Sequence, residues 1–243
     1  MRRQVLRSTV VTAVGAVALG LLTLRWSGLH WGATTGEVDE QLPGDEVVTE
    51  AGFATTRAIT IGVPPERVWP WVVQLGQSRG GFYSYDWPPN LVGCDIHSVD
   101  EVVERWQHLA PGDTVWLHPK IALRVESINP GRSLVLRGPG GPGGGRPTAR
   151  GADPSRADGV DAPADFSWSF VVRPYPGLTT RLLVRERYAE AAKWPSLAAE
   201  ALLAVSSIMT RGMLLGIKKR AESVRPGNPL VVNAGAGVSP EQG

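Results

Sequence analysis

The chain has 243 residues, 42% of them hydrophobic, with a formal charge of +2 from 25 basic and 23 acidic side chains. That size suits one globular domain with additions, and the dispersed, nearly balanced charge excludes a general nucleic-acid binder. The single cysteine, Cys94, excludes an internal disulfide, and the four histidines (His30, His97, His108, His118) lack HExxH-type spacing, so neither a metal nor a cofactor is expected.

Residues Ser8 to Leu24 carry no charge and follow Arg2, Arg3 and Arg7. Seventeen helical residues would span about 25 Å, the short end of a membrane crossing. A cleaved signal peptide is the rival reading, but Thr23-Leu24-Arg25-Trp26 is a poor cleavage site. The reading is therefore an uncleaved single-pass anchor over residues 1–25. The excess of positive charge before the run puts the following domain on the outer side of the cell membrane.

Residues 26–52, rich in Gly, Pro and acidic side chains, read as a stalk or a segment lying over the domain. FATTRAITIGV, Phe53 to Val63, alternates as a strand. In PPERVWPWVVQLG, Val68, Trp71, Val72 and Leu75 fall at helical spacing after two prolines, Pro70 is expected to kink or break the helix, and Gly76 to stop it. RGGFYSYDW, Arg79 to Trp87, follows. Strand-like runs then cover Asp113–His118, Ile121–Ile128, Ser133–Arg137, Phe166–Arg173 and Thr179–Ala189, punctuated by Pro-Gly turns. Gly138 to Asp165 holds eight glycines and five prolines in 28 residues and reads as a disordered hairpin insertion. Ser196 to Glu222 is the longest helical pattern, too charged at Glu200 and Arg211 for a second span, and residues 223–243 read as a flexible tail. The domain proper is thus 53–222, an α+β unit whose antiparallel sheet carries helices on one face.

That order resembles the START/Bet v 1-like superfamily, which includes polyketide cyclases and lipid-transfer domains, and within it a membrane-associated bacterial subgroup. The residues that carry the resemblance are WGAT (Trp31–Thr34), LPGDE (Leu42–Glu46), TRAITI (Thr56–Ile61), PPERVWPWVVQLGQSRGGFYSYDW (Pro64–Trp87), DIHS (Asp95–Ser98) and LLGIKKRAE (Leu214–Glu222). It implies a helix-grip fold, in which a curved antiparallel sheet wraps around the long C-terminal helix and encloses a cavity. It also implies a hydrophobic small molecule or lipid as partner. Where these relatives often read Leu-Glu-Asn after the Asp-Trp pair, this chain has Pro88-Pro89-Asn90, so no role of that glutamate carries over.

In that arrangement the aromatics of RGGFYSYDW cover one end of the core, with Arg79 and Asp86 locking the turn, or else contact ligand. The expected ligand-binding residues are Arg79, Tyr83, Tyr85 and Asp86 at the mouth and Trp71, Leu202 and Met209 on the wall. Trp69 and Trp106 read as core or wall, and Cys94 as a small buried residue. Binding or transfer near the bilayer is the main reading. The alternatives are a cyclase/dehydratase-type enzyme using Asp86 or His97, and an envelope scaffold. GPGGPGGG lacks the Lys-Ser/Thr of a phosphate loop, and no GxSxG nucleophile is present.

Overall fold

The computed structural model describes residues 28–84, 98–118, 121–138, 166–189, 196–223 and 231–232. The elements are α1 (Thr35–Asp39), β1 (Phe53–Ile61), α2 (Pro65–Val73), β2 (Val102–Val103), β3 (Thr114–His118), β4 (Ile121–Asn129), β5 (Ser133–Gly138), β6 (Phe166–Tyr175), β7 (Thr179–Tyr188), α3 (Ser196–Ser223) and β8 (Val231–Val232). Six strands pair antiparallel in the order β1-β7-β6-β5-β4-β3, while β2 and β8 form a separate two-stranded parallel pair. The chain enters at one sheet edge in β1, crosses to the other in β3 and returns strand by strand. β1 can therefore pair with the last strand, and α3 can close over the inner face.

The helix α2 continues through Pro70, so of the expected kink or break the break does not occur. In a nine-residue helix, Pro70 withdraws only the bond to the Glu66 carbonyl, and the burial of Val68, Trp71, Val72 and Val73 outweighs that loss. The proposed membrane segment and the Gly/Pro insertion lie outside the described residues; among those described, no helix is long and apolar enough to cross a membrane.

Period-two alternation puts Leu182, Val184, Glu186 and Tyr188 of β7 on the inner face and Arg181, Leu183, Arg185 and Arg187 on the outer. The outer face is covered too. Residues 31–48 lie across it, burying Leu42 against Ala58, Val171 and Leu183. Arg185 uses all five of its N–H donors there: on Thr56 Oγ1, the carbonyls of Glu37, Val38 and Glu40, and Asp45 Oδ2 at 2.6 Å. Arg181 grips both carboxylate oxygens of Glu37 at 2.6 Å and the Gly32 carbonyl at 2.6 Å. Arg187 takes the carbonyls of Val48 and Thr49, and Arg173 the carboxylate of Glu40.

Glu37 also completes a capping box with Thr34 at the start of α1. The bonds from Arg181 hold its carboxyl down at about 2, against 4.5 ordinarily. A depressed carboxyl stabilises the fold at pH values above its unfolded pKa and loses that contribution as pH falls through the folded one. The melting-temperature advantage of wild type over Glu37→Gln should thus be constant above about pH 4.5 and vanish as pH approaches 2. A pH-independent difference would show that the ion pair contributes nothing.

Candidate functional site

Across β1, β7 and β6 the register stacks the inner-face residues in rows. The row at one end of the sheet is Phe53–Tyr188–Phe166, and the next is Thr55–Glu186–Trp168, followed by Arg57–Val184–Phe170. The aromatic rings touch in sequence: Phe53 to Tyr188 at 6.1 Å, Tyr188 to Phe166 at 4.8 Å, Trp168 to Phe170 at 4.7 Å and Phe82 to Trp168 at 6.3 Å between centroids. β-strand geometry thus gathers two groups of aromatic rings toward one end of the inner face.

A charged cluster lies beside them. Arg57 and Glu186 are both buried and pair at 3.2 Å beneath α3. The guanidinium also donates to Thr55 Oγ1 (3.0 Å), Ser206 Oγ (3.4 Å), Ser207 Oγ (2.9 Å) and the Gly28 carbonyl (3.1 Å). The Glu186 carboxylate further accepts from Thr210 Oγ1 (2.8 Å), Ser206 Oγ (2.5 Å) and Tyr188 OH (3.2 Å). Burial, reinforced by the neighbouring Glu186 charge, pushes the Tyr188 phenol well above its ordinary value, so it remains a donor. Beside this cluster the indole Nε1 of Trp168 is buried and has no hydrogen-bond partner among the described residues. An orphaned buried donor costs roughly 1–3 kcal/mol, which a ligand's acceptor atom would recover.

The α3 backbone runs from the aromatic end toward the other end, where Glu222 Oε1 accepts from the Gly62 amide. Thr210 sits over the second row. The preceding residues of the helix, from Ser196 on, extend about 21 Å, farther than the one remaining row of sheet. The first turns of α3 therefore overhang the aromatic end.

The other half of the interior is filled. Trp71 and Tyr83 meet edge to face at 5.6 Å and pack with Val68, Leu134, Phe170 and Met213. RGGFYSYDW begins here, and its described part is a structural joint. Arg79 donates to the carbonyls of Val73 (3.1 Å) and Trp106 (2.6 Å), tying the end of α2 to the turn at Glu104–Trp106, and burial lowers its pKa. Tyr83 sits at φ 54°, with its amide donating to Ser98 Oγ, its ring under Arg220, and burial raising its phenol pKa. The α3 backbone meets it at Gly216, where a Cβ would lie 1.9 Å from the Tyr83 carbonyl oxygen. Only glycine permits that approach.

Of the expected ligand-binding residues, then, Arg79, Trp71 and Tyr83 lie together in the filled half. Met209 lies at the boundary, its sulfur accepting from Ser84 Oγ at 3.7 Å. Tyr85, Asp86 and His97 are outside the described residues, as are Cys94 and the side chain of Leu202. Glu186, Arg57 and Trp168 were not among the expected residues. Among the described residues no group of His, Cys, Asp and Glu could hold a metal. A crevice of about 430 Å³ lies on the outer face, lined by His30, Asp39, Glu40, Asp45, Arg185 and Arg187 among others. Its arginines are spent on the covering segment.

Two substitutions probe these contacts. Gly216→Ala should cost about 1–3 kcal/mol in urea denaturation by forcing α3 off Tyr83; an unchanged midpoint would contradict the close approach. Glu186→Gln should cost about 3–5 kcal/mol because Arg57 stays buried without its counter-ion, and the double variant Arg57→Met/Glu186→Leu should cost less than that single change.

No family model matches the chain, and no curated protein matches it. Among solved structures it is similar to a polyketide cyclase-like protein from Corynebacterium glutamicum, at 14% identity over 70% of this chain and 91% of that one, with a TM-score of 0.38. It is similar to the Zhui aromatase/cyclase of a Streptomyces species at 15% identity over 70% and 93%, TM-score 0.38. It is also similar to Ara h 8.0201 at 15% identity over 71% and 99%, TM-score 0.36. Similarities this loose leave the assignment to the chain's own strand order. With six antiparallel strands closed over by a long C-terminal helix, the chain has a helix-grip fold.

Proposed function

We propose that the protein binds a hydrophobic small molecule or lipid at the aromatic end of its inner face, beneath the overhanging first turns of α3. The observation that carries this reading is the Phe53–Tyr188–Phe166 row together with the buried Trp168 indole N–H beside it, which, like that of Trp71, has no partner among the described residues. Apolar burial supplies affinity at about 25 cal/mol per Å². One acceptor atom on the ligand, a carbonyl or carboxylate, meets the indole donor. Met209 and Ser84 border the entrance, and Tyr85 and Asp86 follow Ser84 in sequence. Residues 8–24 serve in this reading as a single-pass anchor that holds an extracytoplasmic domain at the cell membrane, which suits sequestration or transfer.

The burial and hydrogen bonding of Glu186 favour binding over acid–base chemistry. Three hydroxyl donors and the Arg57 guanidinium already occupy its carboxylate, so it is not available to take a proton from substrate. The cyclase alternative would rest on Asp86 and His97.

Trp168→Phe keeps an aromatic ring, a smaller one, and removes the donor. It should leave stability within about 1 kcal/mol of wild type while weakening binding of the fluorescent fatty acid cis-parinaric acid at least about fivefold. Met209→Arg should weaken it further, and Leu178→Arg, on the hairpin turn at the other end of the sheet, should not. Equal affinity across all four proteins would remove the aromatic end as the binding site.

A further inference from the structure

The solvent side of α3 changes character along the helix. Toward its C-terminal end that side carries Arg211, Leu215, Lys219 and Glu222, the mixture expected where a helix faces water. Nearer the overhang it carries Ala204, Val205 and Ile208, with Val205 58% and Ile208 57% exposed. The apolar part is thus the part farthest along toward the aromatic end.

The position of the chain's beginning gives this patch a partner. Gly28, the first described residue, is fastened to the same turn of α3: its carbonyl accepts from Ser207 Oγ at 2.9 Å and from Arg57 Nε at 3.1 Å. The uncharged run from Ser8 ends at Leu24, four residues before Gly28, and four residues reach at most about 14 Å. A membrane entered by that run therefore passes close to Val205 and Ile208. Arg211, one turn on, lies over the ring of Trp31 at 5.1 Å, which puts a cation and an aromatic at the rim of the patch, as in helices that settle into a headgroup layer.

We propose that the face of α3 around Val205 and Ile208 docks on a lipid surface, the bilayer into which residues 8–24 lead. The inference rests on the reading of those residues as an anchor. It sets the aromatic end against the membrane, so that a hydrophobic ligand passes between bilayer and protein without crossing water.

The test uses the full chain in phosphatidylcholine/phosphatidylglycerol nanodiscs whose acyl chains carry nitroxide. On a Cys94→Ser background, an environment-sensitive nitrobenzoxadiazole probe is attached in turn to Ala16→Cys, Val205→Cys, Ile208→Cys and Leu178→Cys. Leu178, 83% exposed in the β6–β7 turn, is the control. Probes at positions 16, 205 and 208 should be quenched at least about twofold by the labelled lipid, and the probe at 178 left unchanged. Quenching at 16 without quenching at 205 and 208 overturns the docking and leaves the anchor standing. Absence of quenching at 16 overturns the anchor, and positions 205 and 208 then decide the docking by themselves. Blue-shifted but unquenched probes at 205 and 208 mean that protein covers the patch, either a second copy or the N-terminal segment folded back, and that too overturns the proposal.

Discussion

The buried pairing of Arg57 with Glu186 is the contact on which the rest of the architecture turns. Two charges taken out of water are costly unless every lone pair and proton is met, and here hydroxyls from β1, β7 and α3 and the Gly28 carbonyl meet them. The pair therefore fixes three things at once: the height of α3 above the sheet, the place where the N-terminal segment arrives, and the row at which the packed core gives way to the aromatic end. Strand β7 repeats the device on its other face, where Arg181, Arg185 and Arg187 hold residues 31–49 through backbone carbonyls and carboxylates. A strand alternating charged and apolar residues is thus buried on both sides, and it links the covering segment to the helix.

Much of this was legible in the sequence. The six sheet strands follow their period-two runs and Pro-Gly turns closely, because turn chemistry and alternation are local properties. The long helix was legible from its own apolar period, which is a local property too. What sequence reading missed is the polar cluster. In TTRLLVRERY the arginines at 181, 185 and 187 have the spacing of a solvent face, and only the covering segment, far away in the chain, makes that face an interior. The available signal was one of phase: Glu186 falls in step with Leu182, Val184 and Tyr188, and Arg57 with Ile59 and Ile61, so each sits where an apolar residue belongs. RGGFYSYDW reads as a cover for one end of the core or as a ligand contact; in its described part Arg79 ties α2 to the turn at Glu104–Trp106 and Tyr83 packs against α3.

Function follows from where the packing stops. Trp71, Tyr83, Phe170 and Met213 pack one half of the grip, in the same buried cluster as Phe166, Trp168 and Tyr188. The other half ends in these aromatic rings, a saturated ion pair and the Trp168 indole N–H, which has no partner among the described residues. In the proposed reading such a surface takes apolar groups and makes one directional demand, an acceptor.

The most direct test is photo-crosslinking with a diazirine-bearing fatty acid, followed by peptide mapping of the adducts. Adducts should fall on β6 and β7 near Phe166, Trp168 and Tyr188 and on α3 near Met209. Adducts confined to the outer-face crevice around Glu40 and Asp45, or none at all under conditions of saturating ligand, would contradict a binding site at the aromatic end.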